Sequence, residues 1–100
     1  LHGKFFVLTG RIGNPRYLSG PDLRELVDMG MEVGLHGRDH VDWRKADDRT
    51  LVEETEGARA HLADTIGREV TSVAITFGHY DRPVQRHLRD SGFERIYTSD

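Results

Sequence analysis

The sequence predicts an α/β fold built on a parallel sheet, with elements in the order β-α-β-α-β-α-β. Two observations carry that reading. Four short apolar or alternating runs, at residues 4–8, 31–36, 70–77 and 93–98, have the length and period of strands. The longer stretches between them have helical periodicity, each opened by a capping residue and closed by a glycine.

The elements follow in order. Lys4-Phe5-Phe6-Val7-Leu8 is a continuous apolar run, the pattern of a strand buried on both faces, and Thr9-Gly10 closes it. Residues 10–18 form a loop, with Gly13-Asn14-Pro15 as turn chemistry. Ser19 is the expected N-cap of a short helix, with Pro21 in the first turn, Asp22 three residues after the serine, and Leu23, Leu26 and Val27 as its apolar stripe. Gly30 ends it. Residues 31–36 alternate, with Met31, Val33 and Leu35 on one face and Glu32, Gly34 and His36 on the other. A polar loop at residues 37–48 leads into a long helix over about residues 48–66, which buries Leu51, Thr55, Ala58, Leu62 and Ile66. The cluster Glu53-Glu54-Glu56 is assigned to its wet face. The third strand, residues 70–77, places Val73, Ile75 and Phe77 on one face and Ser72, Ala74 and Thr76 on the other. After the turn Gly78-His79-Tyr80-Asp81, Asp81 caps a helix over residues 82–90 with Pro83 in its first turn and Val84 and Leu88 inward. Residues 93–98 are the fourth strand.

Helices are expected over the Met31/Val33/Leu35 and Val73/Ile75/Phe77 faces. The opposite face, with Glu32, Gly34, His36, Ser72, Ala74 and Thr76, is small and polar, which suits the inner wall of a barrel or a groove that bears a site. In parallel folds ligands sit at the carboxyl ends of strands, which directs attention to Leu8, His36 and Phe77-Gly78.

Composition narrows the function. The net charge is −3 and no run of Lys and Arg could follow a phosphate track, so a strongly basic nucleic-acid binder is excluded. No apolar stretch approaches the ~18 residues of a membrane span, and no signal peptide is visible. With no cysteine there are no disulfides and no thiolate metal sites.

His36-Gly37-Arg38-Asp39-His40 is the sharpest chemical feature. Two imidazoles four residues apart can meet one metal ion where a strand ends and its loop curls back, and neutral imidazole suits zinc and its neighbours. A hydrolytic metal also needs a third protein ligand and an open position. Chance is the rival explanation, since six histidines in this length give about 0.3 such pairs at random. In Gly78-His79-Tyr80-Asp81, backbone N–H groups could face a developing oxyanion, and His79 could be a third ligand or a proton shuttle; a plain turn with an exposed histidine explains the same residues. Trp43 could stack on a sugar ring or, the better-supported alternative, pack on the long helix. Asp39 and Asp42 could orient a ligand histidine or stand in solvent. His2, His61 and His87 have no supporting context.

These residues resemble the polysaccharide deacetylases, carbohydrate esterase family four. Phe5-Phe6-Val7, the helix ending at Gly30, and Met31-Glu32-Val33-Gly34-Leu35 followed by the His36/His40 pair match the family's strand, helix and His-Ser/Thr-x-x-His motif. Ala74-Ile75-Thr76-Phe77-Gly78 is similar to its Arg-x-Pro-Tyr/Phe-Gly motif, and the resemblance covers nearly the whole chain. It implies a distorted β/α barrel, usually of about seven strands, of which residues 1–100 would be the central portion. It implies metal-dependent hydrolysis of a non-peptide amide, with an N-acetylated sugar or polysaccharide, or a small cyclic amide, as substrate. His36 and His40 are then ligands of a divalent metal, zinc first among them. The backbone N–H of Phe77 is the oxyanion donor, and Trp43, His79 and Tyr80 are the candidates for substrate contacts. The family's Thr-Phe-Asp-Asp motif, source of the third ligand and the base, does not occur in these residues, nor does its Leu-x-His general acid. Gly37 replaces a loop-bracing Ser/Thr, Ala74 an arginine and Thr76 a proline. The segment alone is therefore expected to be inactive, and a non-catalytic relative that binds glycan or metal is the rival reading.

Overall fold

The computed structural model describes residues 3–78 and 81–98. Its strands are β1 (Lys4–Val7), β2 (Glu32–Leu35), β3 (Ser72–Ala74) and β4 (Arg95–Tyr97). They form one sheet in the order β1-β2-β3-β4, every neighbouring pair parallel. The helices are α1 (Gly20–Asp28), α2 (Asp48–Val52), α3 (Ala58–Ile66) and α4 (Arg82–Asp90). The expected order of elements is the observed one.

Local chemistry explains the helix starts. The Ser19 hydroxyl accepts the Asp22 N–H at 3.3 Å, and the Asp22 carboxylate accepts the Ser19 N–H at 3.1 Å, a complete capping box. Those two bonds hold the Asp22 carboxyl below its usual range. Asp81 caps α4 through the Val84 N–H at 3.0 Å, as its place before Arg82-Pro83 dictates. The long helix begins at Asp48, as expected, and is capped by Asp47 through the Thr50 N–H at 2.7 Å. It runs from α2 to α3 through a π-helical turn, Glu53–Gly57, whose flanking residues keep helical dihedrals. No helix among the described residues is long and apolar enough to cross a membrane.

Alternation along the strands sorts the side chains. On one face Val33, Leu35, Val73 and Ile75 are buried with Leu23, Leu62, Val84 and Leu88 in a single core. Each fully buried leucine there contributes about 1.5–3 kcal/mol. Helices α1 and α3 pack on β2 and on one another.

The other face carries Phe6, Glu32, Gly34, Ser72, Ala74 and Tyr97, aligned by the strand register. Phe6 of β1 and Tyr97 of β4 meet with ring centroids 5.2 Å apart. These are the two outer strands, about 14 Å apart in a flat sheet at the usual strand spacing. The sheet therefore curls toward this face. Gly34 makes room for the contact, because a Cβ there would stand 2.7 Å from Phe6 Cε1 and would also collide with Ser72 Oγ. Arg95 Nη1 and the Tyr97 hydroxyl both donate to Glu32, at 2.6 and 3.3 Å.

The structure corrects four expectations. Phe5 is 39% exposed, so β1 is not buried on both faces; among the described strands it is an edge, paired only with β2. The polar face also carries Phe6 and Tyr97, and is thus not exclusively small and polar. The third strand stops at Ala74 rather than at residue 77, because the chain turns at Phe77, which adopts a left-handed conformation and leaves its ring 50% exposed instead of facing the core. Glu54 is not on the wet face of the long helix: it is 2% exposed.

Candidate functional site

His36 directly follows β2, and its N–H still donates to Val7 O at 2.7 Å, so its position is set by the sheet. Its Nδ1 lies 2.8 Å from the carbonyl oxygen of Ala74. A carbonyl can only accept, so Nδ1 carries the proton and the lone pair of the neutral ring is on Nε2. A histidine whose one ring nitrogen is fixed in this way by a backbone carbonyl can offer the other to a metal.

His40 is brought back to His36 by the loop between them. The ring centroids are 5.1 Å apart. Gly37 turns the chain with φ +94°. Thr9 N–H and Gly10 N–H, from the turn after β1, donate to the carbonyls of Gly37 and Arg38, both at 2.9 Å. From the other side Glu54 accepts the N–H groups of Arg38 (3.1 Å) and Asp39 (2.9 Å) and the indole N–H of Trp43 (3.2 Å). His40 itself has φ +60°.

Phe77, beyond the end of β3, completes the group. Its φ is +61° and its ring centroid lies 4.7 Å from that of His40. Non-glycine residues in this conformation are uncommon and cluster at functional sites. The only two among the described residues are His40 and Phe77, and they touch. His36, His40, Ala74, Phe77 and Tyr97 line an open cleft of about 440 Å³ at the carboxyl ends of the strands. Its volume is within the usual range of small-ligand sites.

The donor set fits a divalent metal in part. In its neutral form His36 would present the Nε2 lone pair beside His40, but among the described residues no third His, Cys, Asp or Glu joins them.

The other candidates separate. Trp43 is 2% exposed, its ring enclosed in the core and its N–H held by Glu54: of the two alternatives the structure shows packing, and Trp43 as a candidate sugar contact is corrected. Its backbone N–H donates to the Thr76 hydroxyl at 3.3 Å, which is what the threonine does at that position. Asp39 pairs with Arg38 Nε at 2.8 Å, and Asp42 with Arg44 at 2.8 and 3.0 Å. The Arg44 guanidinium lowers the Asp42 carboxyl to about 2. Each aspartate is matched to an arginine, and the orienting partner of His36 is a carbonyl instead. His87 donates to Thr55 Oγ1 at 2.9 Å, because that hydroxyl's own proton goes to Leu51 O. His2, His79 and Tyr80 lie outside the described residues.

Sequence reasoning missed Glu54. One signal was available: it stands three residues after Leu51 and four before Ala58, on the flank of the buried stripe.

A family model described as polysaccharide deacetylase matches residues 1–96. A polysaccharide deacetylase from Bacillus cereus superposes with a TM-score of 0.88 at 24% identity, covering 97% of this chain and 30% of that one. IcaB from Ammonifex degensii gives 0.79 at 26% identity, with 95% and 47% covered. A pseudoenzyme of carbohydrate esterase family four from Bacillus anthracis gives 0.81 at 15% identity, with 97% and 33% covered. The chain thus spans about a third to a half of the length of these structures.

Proposed function

The chain belongs to the polysaccharide deacetylase family, and from that premise we propose that residues 1–100 form the central part of a metal-dependent amidohydrolase domain that removes acetyl groups from an N-acetylated sugar or polysaccharide. The observation that carries this reading is the pairing of His36, its Nδ1 fixed on the Ala74 carbonyl, with His40 beside it in an open cleft.

His36 and His40 would hold the metal through ring nitrogens, and a third protein ligand would have to come from outside the described residues. A divalent metal held there, zinc by the chemistry of neutral imidazole, would supply Lewis acidity for the attack of water on an amide carbonyl. The remaining work falls to the chain. The Ala74 carbonyl holds the His36 proton on Nδ1 throughout, which keeps Nε2 available. The left-handed turn at Phe77 sets the direction of its backbone N–H, proposed as the donor to the oxyanion that forms on the amide oxygen. The cleft walls, Phe6 and Tyr97 among them, offer aromatic surface to a sugar ring. His79 and Tyr80 follow Phe77-Gly78 in sequence and are the further substrate-contact candidates.

A second reading is supported by one residue. Ala74 places a methyl on the cleft wall where the family motif has an arginine, so this strand offers no cation to steady a catalytic carboxylate. That favours a relative that binds metal or glycan without turnover, or one that opens a small cyclic amide.

The experiment uses the full-length protein that carries this chain. Wild type is expected to bind about one zinc equivalent and to release acetate from N-acetylglucosamine oligomers, and His36→Ala to do neither. Equal zinc content in the two proteins would remove the ligand assignment. Bound zinc with no acetate released would select the second reading.

A further inference from the structure

Glu54 is a carboxylate in the core with an unusual set of partners. It is 2% exposed and accepts three hydrogen bonds, from the consecutive amides of Arg38 and Asp39 and from the Trp43 indole. All three donors lie on the loop between β2 and α2, and two of them fall between His36 and His40. No cation pairs with Glu54 among the described residues. A buried carboxylate costs free energy unless its lone pairs are satisfied; here the donors that satisfy it are the backbone of the site itself.

Two further observations converge on the same point. Gly37 has no side chain, and one begun there would place its Cβ 2.5 Å from Glu54 Oε1 and 3.1 Å from the Trp43 ring. The space beside Gly37 is thus filled by the Glu54–Trp43 pair. Glu54 also lies in the π-helical turn Glu53–Gly57, where the widened helix buries Glu54 and Thr55 side by side. Such turns recur at functional sites.

We infer that Glu54 is a positioning residue of the site. Its carboxylate clamps the Arg38 and Asp39 amides, with Trp43 as the third point, and so sets the strained backbone of His40 and the place of its ring against His36. Gly37 is required to be glycine because the clamp occupies its side-chain space. Glu54 touches neither imidazole in this arrangement; it acts through the loop. The inference rests on the His36/His40 pair being the ligand pair proposed above.

The test uses the full-length protein. Glu54→Gln keeps the size of the side chain but turns one accepting oxygen into an NH2 that faces N–H donors. Trp43→Phe removes one donor and keeps a ring, and Gly37→Ser intrudes on the carboxylate. Ile66→Val, at the far end of α3, is the control for ordinary core loss. In the metal-free protein, Glu54→Gln and Gly37→Ser are expected to speed amide exchange at Arg38 and Asp39 at least about tenfold. The His40 ring protons, which sense the Phe77 ring 4.7 Å away, should move toward free-histidine shifts. Ile75, in the sheet ladder, should keep its protection. Zinc affinity should fall about 10–100-fold, as when a ligand's supporting partner is removed, with a smaller fall in Trp43→Phe and none in Ile66→Val. Unchanged exchange at Arg38 and Asp39, or a loosened loop with His40 shifts and zinc affinity as in wild type, would overturn the inference. If wild type and His36→Ala bind zinc equally, the metal reading fails, and the metal-free exchange and His40 shifts still decide the role of Glu54.

Discussion

His40 and Phe77 are both held in left-handed backbone conformations, with φ of +60° and +61°, and their rings meet at 4.7 Å. They come from different crossovers, one after β2 and the other after β3. Each conformation costs a non-glycine residue about 1–3 kcal/mol, and neighbouring structure holds both. At His40 the holding groups are Glu54 and the Thr9-Gly10 turn. The strain at the two positions converges on one side of the cleft.

The strain at Phe77 predicts an inversion of the usual substitution order. Phe77→Gly should match or exceed wild-type stability at this backbone position, whereas Phe77→Val should be less stable than Phe77→Gly by about 1–2 kcal/mol. Urea unfolding of the three proteins checks this. A valine variant as stable as the glycine one would show that the left-handed turn is not imposed by the fold.

Metal linkage gives a prediction independent of activity. In the full-length protein, zinc at a hundred times its dissociation constant should add about 2.7 kcal/mol of stability. A chelator should lower the melting temperature of wild type and leave that of His36→Ala and His40→Ala where it was. A chelator shift of the same size in all three would place the metal elsewhere.

Asp42 carries a pH signature. The Arg44 guanidinium holds its carboxyl at about 2, below the ordinary 3.8. A carboxyl depressed in the folded state adds stability that is fully present above its unfolded value and disappears as the pH falls through the folded one. The Asp42–Arg44 contribution should therefore be complete above about pH 5 and be lost as the pH falls through about 2, vanishing by about pH 1. It should also be small and salt-sensitive, because the pair is near solvent. Carboxyl NMR should give an Asp42 midpoint near 2 in wild type and one returning toward 3.8 in Arg44→Ala. An unmoved midpoint would contradict the pairing.

Gly34 should resist enlargement. In Gly34→Ala the new methyl meets Phe6 Cε1 at 2.7 Å and overlaps Ser72 Oγ, both on a curled sheet face with little room to shift. The expected cost is about 1–3 kcal/mol. Adding Ser72→Ala should recover part of it, since the closest atom is then gone. Additive losses in the double variant, measured by thermal unfolding, would count against this packing.

Much of the architecture was legible because it is written in local chemistry. Ser19-Gly20-Pro21-Asp22 specifies a capping box whatever surrounds it, and Asp81-Arg82-Pro83 does the same for α4. Strand alternation placed Val33, Leu35, Val73 and Ile75 in the core. The His36/His40 pair was visible as spacing, and its resemblance to a family motif agrees with the family match. Strand ends were not legible. Residues 70–77 alternate without a break, and nothing in Ile75-Thr76-Phe77 announces that β3 ends at Ala74, with only the Ile75 N–H reaching on to Tyr97 O before the turn at Phe77.

The sequence by itself determined the order of elements, the helix starts and the two histidines, because caps, turns and periodicity act over a few residues. Only the tertiary structure decided what Glu54, Trp43 and Phe77 do. A glutamate between two others reads as solvent-facing until three donors from a loop 11 to 16 residues away in sequence are folded onto it. Trp43 reads as packing on the long helix or as a stacking surface, packing the better supported, and that same carboxylate takes its N–H in the core. The turn of Phe77 toward His40 is set by packing between two crossovers. Burial and hydrogen-bond satisfaction depend on residues brought together across the sheet, and no local pattern encodes them.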